Sequence, residues 1–240
     1  MSVFCSLPFH VAILAVLTIV VLASSAGCRQ SKPDAEYYFD RGASRADKGE
    51  YDKAIADFTK AIEIDPEHAF AYIFRGNAWR RKDQYDKAIA NYTQAIDVNP
   101  KDALAYVTRG VTWKIMGDHD KAIADFTKAI EIDPEHASAY HYRGGVWEKQ
   151  GEYDKAIADY TKVIEQNPEI AGVYSNRGRT WVELGEFDKA IADFTKAIEL
   201  DPSDDYPYRL RGRAWEKKGE DEKAIADHAK ADELESAAER

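Results

Sequence analysis

Arginine recurs at Arg41, Arg75, Arg109, Arg143, Arg177 and Arg211, each followed by glycine and each 34 residues from the next. At a matching place downstream of each stand Asp57, Asn91, Asp125, Asp159, Asp193 and Asp227. A guanidinium facing a carboxylate forms a bidentate ion pair, so the expected chemistry is a structural Arg–Asp bridge between two elements of each unit. The groups that could do catalysis or hold a metal are scattered. His68 and His136 fall in matching turns, His119 takes an aromatic's place at the start of a helix, and His141 stands alone on another. None joins a His/Cys/carboxylate set at metal-ligand spacing. The abundant acidic residues recur as Asp-Lys and Glu-Ile-Asp-Pro, which reads as solvated helix surface. Asn91-Tyr92-Thr93 matches a glycosylation acceptor, but it lies inside an expected helix. No catalytic residue, cofactor site or metal site is assigned, and the chain reads as a non-enzyme.

The elements that position these residues follow the same step. Pro66, Pro100, Pro134, Pro168 and Pro202 are 34 apart, as are Trp79, Trp113, Trp147, Trp181 and Trp215. A fixed period of this size marks a stacked repeat array. In the unit 69–100, Ala69 to Lys82 places Tyr72, Gly76 and Trp79 at helical spacing. A break follows at Asp83-Gln84, where other copies carry Gly49, Gly117, Gly151, Gly185 or Gly219, the residue type that ends helices in a left-handed conformation. Tyr85 to Val98 reads as a second helix, with Ala88, Ile89, Tyr92, Ala95 and Ile96 on one side, and Asn99-Pro100 stops it. Small Gly76 and Ala88 let the two helices approach. One such pair buries too little surface to stand alone, so stacked neighbours supply the core.

This signature, read in the third copy as Tyr106, Gly110, Trp113, Ala122, Phe126, Ala129 and Pro134, closely resembles that of the tetratricopeptide repeat (TPR) family. Comparable sets occur in six copies over about residues 34–234. The resemblance implies an all-α, right-handed superhelical solenoid of six 34-residue helix-turn-helix repeats, with the first helix of each lining a concave wall. The repeats are placed at 34–66, 67–100, 101–134, 135–168, 169–202 and 203–235, with a frayed tail at 236–240. The end copies depart from the pattern. Arg45 replaces Trp in the first, while His228 and Asp232 replace an aromatic and an aliphatic residue in the last, as a polar capping face requires.

The 240 residues carry a net charge of −10, which argues against nonspecific nucleic-acid binding. Both cysteines, Cys5 and Cys28, precede the array, so no disulfide forms within it. Val11 to Ala23 is an uncharged, mostly aliphatic run, short for a spanning helix and suited to the core of an export signal. Ser24-Ser25-Ala26-Gly27-Cys28 follows and resembles a bacterial lipobox, although no Lys or Arg precedes the apolar run. The expectation is a signal peptide at 1–27, a lipidated Cys28 and a short tether at 28–33. With Arg29 next, resemblance to Gram-negative lipoproteins favours an outer-membrane lipoprotein facing the periplasm. The alternatives are a single N-terminal transmembrane anchor, or secretion after cleavage behind Ala26.

Scaffold positions repeat, whereas a wall that reads an irregular ligand should vary. On the wall implied by the resemblance, copies two and three offer Phe70, Ile73, Leu104, Val107, Val111 and Ile115, an apolar stretch. Copies four and five offer Ser138, Gly145, Gly172 and Ser175, which leave room for bulk. Copies five and six offer Arg179, Arg209 and Arg213, suited to carboxylates. The expected partner is a protein segment with apolar side chains toward copies two and three and an acidic group toward copy six. The carboxylate grip of cytosolic TPR cochaperones is absent, because Phe39 and Ala43 stand at the corresponding places. The functional expectation is a noncatalytic scaffold or adaptor of the bacterial cell envelope. The alternatives are a self-assembling structural subunit and an accessory factor to a cell-wall enzyme.

Overall fold

The computed structural model describes residues 33–238. The described residues form twelve α-helices and no strand. The first helices of the six pairs are α1 (Ala35–Asp47), α3 (Ala69–Arg81), α5 (Ala103–Met116), α7 (Ala137–Lys149), α9 (Ala171–Glu183) and α11 (Asp205–Lys218). The second helices are α2 (Tyr51–Ile64), α4 (Tyr85–Val98), α6 (His119–Ile132), α8 (Tyr153–Gln166), α10 (Phe187–Leu200) and α12 (Asp221–Ala238). Helix α12 continues through Ala238, past Ser236 where the tail was expected to begin.

Local chemistry sets the boundaries. Gly49, Gly117, Gly151, Gly185 and Gly219 all have positive φ between first and second helices, and Asp83 takes the same left-handed conformation at φ 57° in their place. Between repeats, the side chains of Asp65, Asn99, Asp133, Asn167 and Asp201 each accept from the backbone N–H two residues on, at 3.1–3.2 Å. These turns hold the prolines. The side chains of Asp34, Asp102 and Asp204 cap first helices by accepting backbone N–H bonds at 2.9–3.0 Å.

Each of the first five second helices sends one ring, Phe58, Tyr92, Phe126, Tyr160 or Phe194, into the interior, where it is wholly or almost wholly buried. Burying such a ring contributes about 1.5–3 kcal/mol. The glycine of each Arg-Gly pair receives it. A Cβ on Gly178 would lie 2.6 Å from the Phe194 ring, and one on Gly76 would lie 2.6 Å from Tyr92. The glycine therefore accommodates a side chain, a sharper role than the simple backbone approach expected for Gly76 and Ala88. In the last repeat His228 occupies the ring's position over Gly212, with Nε2 3.1 Å from Glu216 Oε1.

First helices meet the neighbouring first helices as well as their own partners, whereas second helices do not touch one another. The stack therefore curves into a solenoid with the first helices on its inner, concave wall.

Candidate functional site on the concave wall

Each Arg-Gly arginine reaches across its own pair. In five repeats Nε and Nη2 donate to both oxygens of the aspartate at 2.6–2.9 Å. The aspartates are buried. From α3 onward Nη1 also donates to a threonine of the preceding repeat, Thr59, Thr93, Thr127, Thr161 or Thr195, at 2.9–3.1 Å. One side chain thus ties both helices of its unit and the junction behind it. The aspartate hydrogen bond raises the pKa of Arg109, Arg143 and Arg177 against the opposing effect of burial. Asn91 gives Arg75 a single bond at 2.7 Å and no countercharge, so burial pushes Arg75 down instead. Arg45, standing where other repeats have Trp, adds a second guanidinium to Asp57 at 2.6 Å. The Asp-Lys lysines prove more than solvated surface: Lys87, Lys121, Lys155, Lys189 and Lys223 sit 4.3–4.4 Å over the tryptophan rings.

These recurring groups are scaffold. The wall between them is irregular, and it places the expected contact residues in different surroundings. Phe70, Leu104 and Ile115 are exposed, and Val111 is half-buried against the core. Ile73 and Val107 are buried, at 0% and 5% exposure, and have no surface to offer a partner. Both belong to the hydrophobic core shared by successive repeats, in one cluster with Tyr92 and Phe126. Phe70 lies apart, in a recess of about 800 Å³ among the inter-repeat turns with Glu36, His68 and Asn99. Arg179 is already matched: Nε and Nη2 donate to Glu148 at 2.7 and 3.0 Å, and Nη1 donates to the Tyr206 hydroxyl at 3.3 Å. Arg209 is likewise engaged by Asp205, Asp232 and Glu235 at 2.8–3.4 Å. Arg213 is exposed, with no ion pair among the described residues.

The wall opens over α7 and α9. A pocket of about 470 Å³ is lined by Ser138, His141, Tyr142, Ile170, Gly172, Val173, Ser175, Asn176 and Tyr206, among others. A second, of about 420 Å³, is lined by Lys114, His141, Gly145, Glu148, Lys149, Tyr160, Asn176 and Arg179. His141 and Asn176 belong to both, so the two form one continuous groove. The small residues expected to leave room, Ser138, Gly145, Gly172 and Ser175, all line it. Lys114, His141 and Asn176 carry its polar character; of these the sequence singles out only His141, as a lone histidine on a first helix.

The electrostatics of the groove are uneven. Glu148 accepts from Arg179 and also from the Tyr160 hydroxyl at 3.0 Å. Burial, then the Glu148 charge and hydrogen bond, push the Tyr160 phenol well above its ordinary pKa. Burial, aided by Lys149, pushes the Lys114 ammonium down, and burial with Lys114 does the same to His141. His141 therefore stands neutral at pH 7. Among the described residues no cluster of three or more His, Cys, Asp or Glu converges as a metal site would. None of the described helices is long and apolar enough to cross a membrane. Val11–Ala23 and Cys28 lie outside the described residues.

The family model for the tetratricopeptide repeat matches residues 35–68, 103–136, 137–170 and 171–204, more than half of the chain. This chain belongs to the tetratricopeptide repeat family. A further TPR repeat model matches residues 76–113. Among solved structures the array is similar to MamA, at 29% identity and a TM-score of 0.65, over 68% of this chain and 95% of that one. It also resembles a tetratricopeptide repeat protein from Parabacteroides merdae, at 22% identity and a TM-score of 0.69, covering 80% of this chain and 77% of that one. YrrB, described as a TPR protein with an unusual peptide-binding site, shares the fold at 23% identity and a TM-score of 0.61, over 76% of this chain and 94% of that one. No curated protein matches the chain.

Proposed function

We propose that this TPR protein is a noncatalytic interaction scaffold of the bacterial cell envelope that holds an extended segment of a partner protein in the groove over α7 and α9. The observation that carries the reading is the double pocket. It lies on the wall where the repeated scaffold gives way to Ser138, Gly145, Gly172 and Ser175, and it is bordered by Tyr142, Tyr206 and Ile170. Concave, mostly apolar clefts with a few convergent polar groups are where ligands bind. The peptide-binding site named for YrrB, a protein of the same fold, supports a peptide as occupant. Exposed Leu104 and Ile115 on α5 extend an apolar approach to it. The envelope placement rests on the apolar run and the lipobox-like Ser24–Cys28 segment.

The test is site-specific photo-crosslinking in the source membrane. A photoreactive residue at Ser138, inside the groove, should capture a discrete partner, and one at Glu165, on exposed α8, should not. Capture from Glu165 alone overturns the reading, and capture only of a second copy moves the function to self-assembly. Metabolic labelling with an alkyne fatty acid should mark the wild-type chain and fail on Cys28→Ser. Labelling of both, or of neither, removes the lipid anchor.

A further inference from the structure

Resting on that scaffold reading, we infer that the groove selects a partner segment bearing an acidic side chain, whose carboxylate docks on Lys114 and Asn176 while an adjacent large apolar side chain fills the pocket between α7, α9 and α11.

Lys114 is the group that points there. Its ammonium is half-buried 5.6 Å over the Tyr142 ring, lines the groove, and has no carboxylate within ion-pair distance among the described residues. Nearby Arg143 and Arg179 both have carboxylate partners, whereas Lys114 and the half-buried Arg80 at the same place one repeat earlier have none among the described residues. A buried charge is ordinarily paired, because its lost hydration must be replaced. The nearest acid, Glu148, attracts the ammonium but lies beyond ion-pair distance, held instead by Arg179 and the Tyr160 hydroxyl. Lys149 adds a further positive charge at the same mouth. With His141 neutral, Lys114, Lys149 and Arg179 outweigh Glu148, so this pocket is positive within a chain of net charge −10.

Space and hydrogen-bonding capacity are arranged around that charge. Gly145 lies inside α7 without a positive φ, and a Cβ there would meet only ordinary contacts, Lys114 Nζ and the Tyr160 hydroxyl at 3.6 Å. The packing does not require glycine at this position, unlike at Gly144, where a Cβ would come within 3.0 Å of the Tyr160 ring. Glycine weakens a helix interior, and what it leaves here is open floor beside the lysine. The side-chain amide of Asn176 has no hydrogen-bond partner among the described residues and borders both pockets, so it can donate to a carboxylate bound at Lys114. On the other side of Asn176, Ile170, Val173 and Tyr206 line the larger pocket, whose volume of about 470 Å³ takes an aromatic or long aliphatic side chain. A phosphate dianion would meet the same cations, so phosphoserine peptides serve as the competing ligand.

Fluorescence anisotropy on the full-length protein in detergent tests this, using N-acetylated, C-amidated peptides that carry one Glu and one Phe at varied separations in a Ser/Ala background. The best Glu peptide should bind about ten-fold or more tightly than its Gln counterpart, the scale of one charge-assisted hydrogen bond. Lys114→Met should erase that preference and leave the contribution of Phe. Asn176→Ala should reduce it, and Gly145→Leu should block both, with helical melting curves showing that each variant folds. Equal binding of Glu and Gln peptides, absence of binding across the series, an undiminished preference in Lys114→Met, or tighter binding of phosphoserine peptides overturns the inference. If Ser138 still captures a protein partner while Glu and Gln bind alike, the scaffold reading stands and only the carboxylate site falls.

Discussion

Gly144 and Gly145 are neighbours on α7 and answer to different parts of the molecule. Gly144 belongs to the seam between the helices of a repeat. There a Cβ would press within 3.0 Å of the buried Tyr160 ring, and the corresponding Gly178 is tighter still, at 2.6 Å from Phe194. Gly145 belongs to the concave wall, where a Cβ would find ordinary contacts and the residue keeps a pocket open. The seam recurs because every repeat must close in the same way. The wall varies because nothing in the stack constrains it. Folding thus reads one set of positions and recognition reads the other, even where they adjoin.

The sharpest way to break that division is to damage the seam alone. Arg143→Ala should leave Asp159 buried without its partner and cost about 3 kcal/mol in urea unfolding, with capture from Ser138 unchanged in the protein that remains folded. Equal loss of binding and stability would merge the two sets. Gly178→Ala, pushing a methyl into Phe194, should cost about 2 kcal/mol by the same measure. Asn91→Asp should work in the opposite direction. It restores a countercharge to Arg75 and should gain about 1 kcal/mol, unless loss of the 2.7 Å bond from Asn91 Nδ2 to the Lys87 carbonyl cancels it. A fall in stability would show that the asparagine is preferred there.

The wall makes the converse prediction. Gly145→Ala should stabilise α7 by about 0.5 kcal/mol while weakening peptide binding, a separation that a purely structural glycine would not show. The smallest effect concerns pH. His141 has a folded pKa below its unfolded value of about 6.5, because burial and Lys114 disfavour the imidazolium. The unfolded chain therefore binds the extra proton first, and stability falls as pH drops from about 6.5 toward the depressed folded value. Tyr142 and Tyr160 rings flank His141, with Lys114, Glu148, Lys149 and Arg179 as the charged groups of its pocket. His141→Gln should flatten this slope in thermal melts, and an unchanged slope would assign it to other groups.

The seam was legible in the sequence because repetition exposes it. The Arg-Gly step, the partner Asp57 and its equivalents, the turn glycines with Asp83 in their place, and the polar last repeat all emerge from alignment of the chain with itself. The threonine tie was equally visible in principle, since Thr59, Thr93, Thr127, Thr161 and Thr195 keep the same step. The wall was legible only as variation. Sequence spacing puts Ile73 and Val107 on the helices that form it, yet cannot tell that neighbouring helices bury them. It likewise identifies Arg179 as a free fork because Glu148, its partner, lies on the preceding repeat, 31 residues away, where spacing alone shows no contact. The lone His141 and the unpaired Lys114 acquire meaning only once α5, α7 and α9 stand side by side.

The arginine that bonds both its own aspartate and the threonine behind it has an implication for how such a chain changes length. Every junction from α2 to α11 presents the same threonine to the same guanidinium. Excising residues 69–102 would seat Thr59 before Arg109 where Thr93 stood, and duplicating a unit would add one more identical joint. The array is a chain of interchangeable couplings, so whole units can be gained or lost in a lineage without a new junction having to be invented, while the irregular wall records which units have been kept.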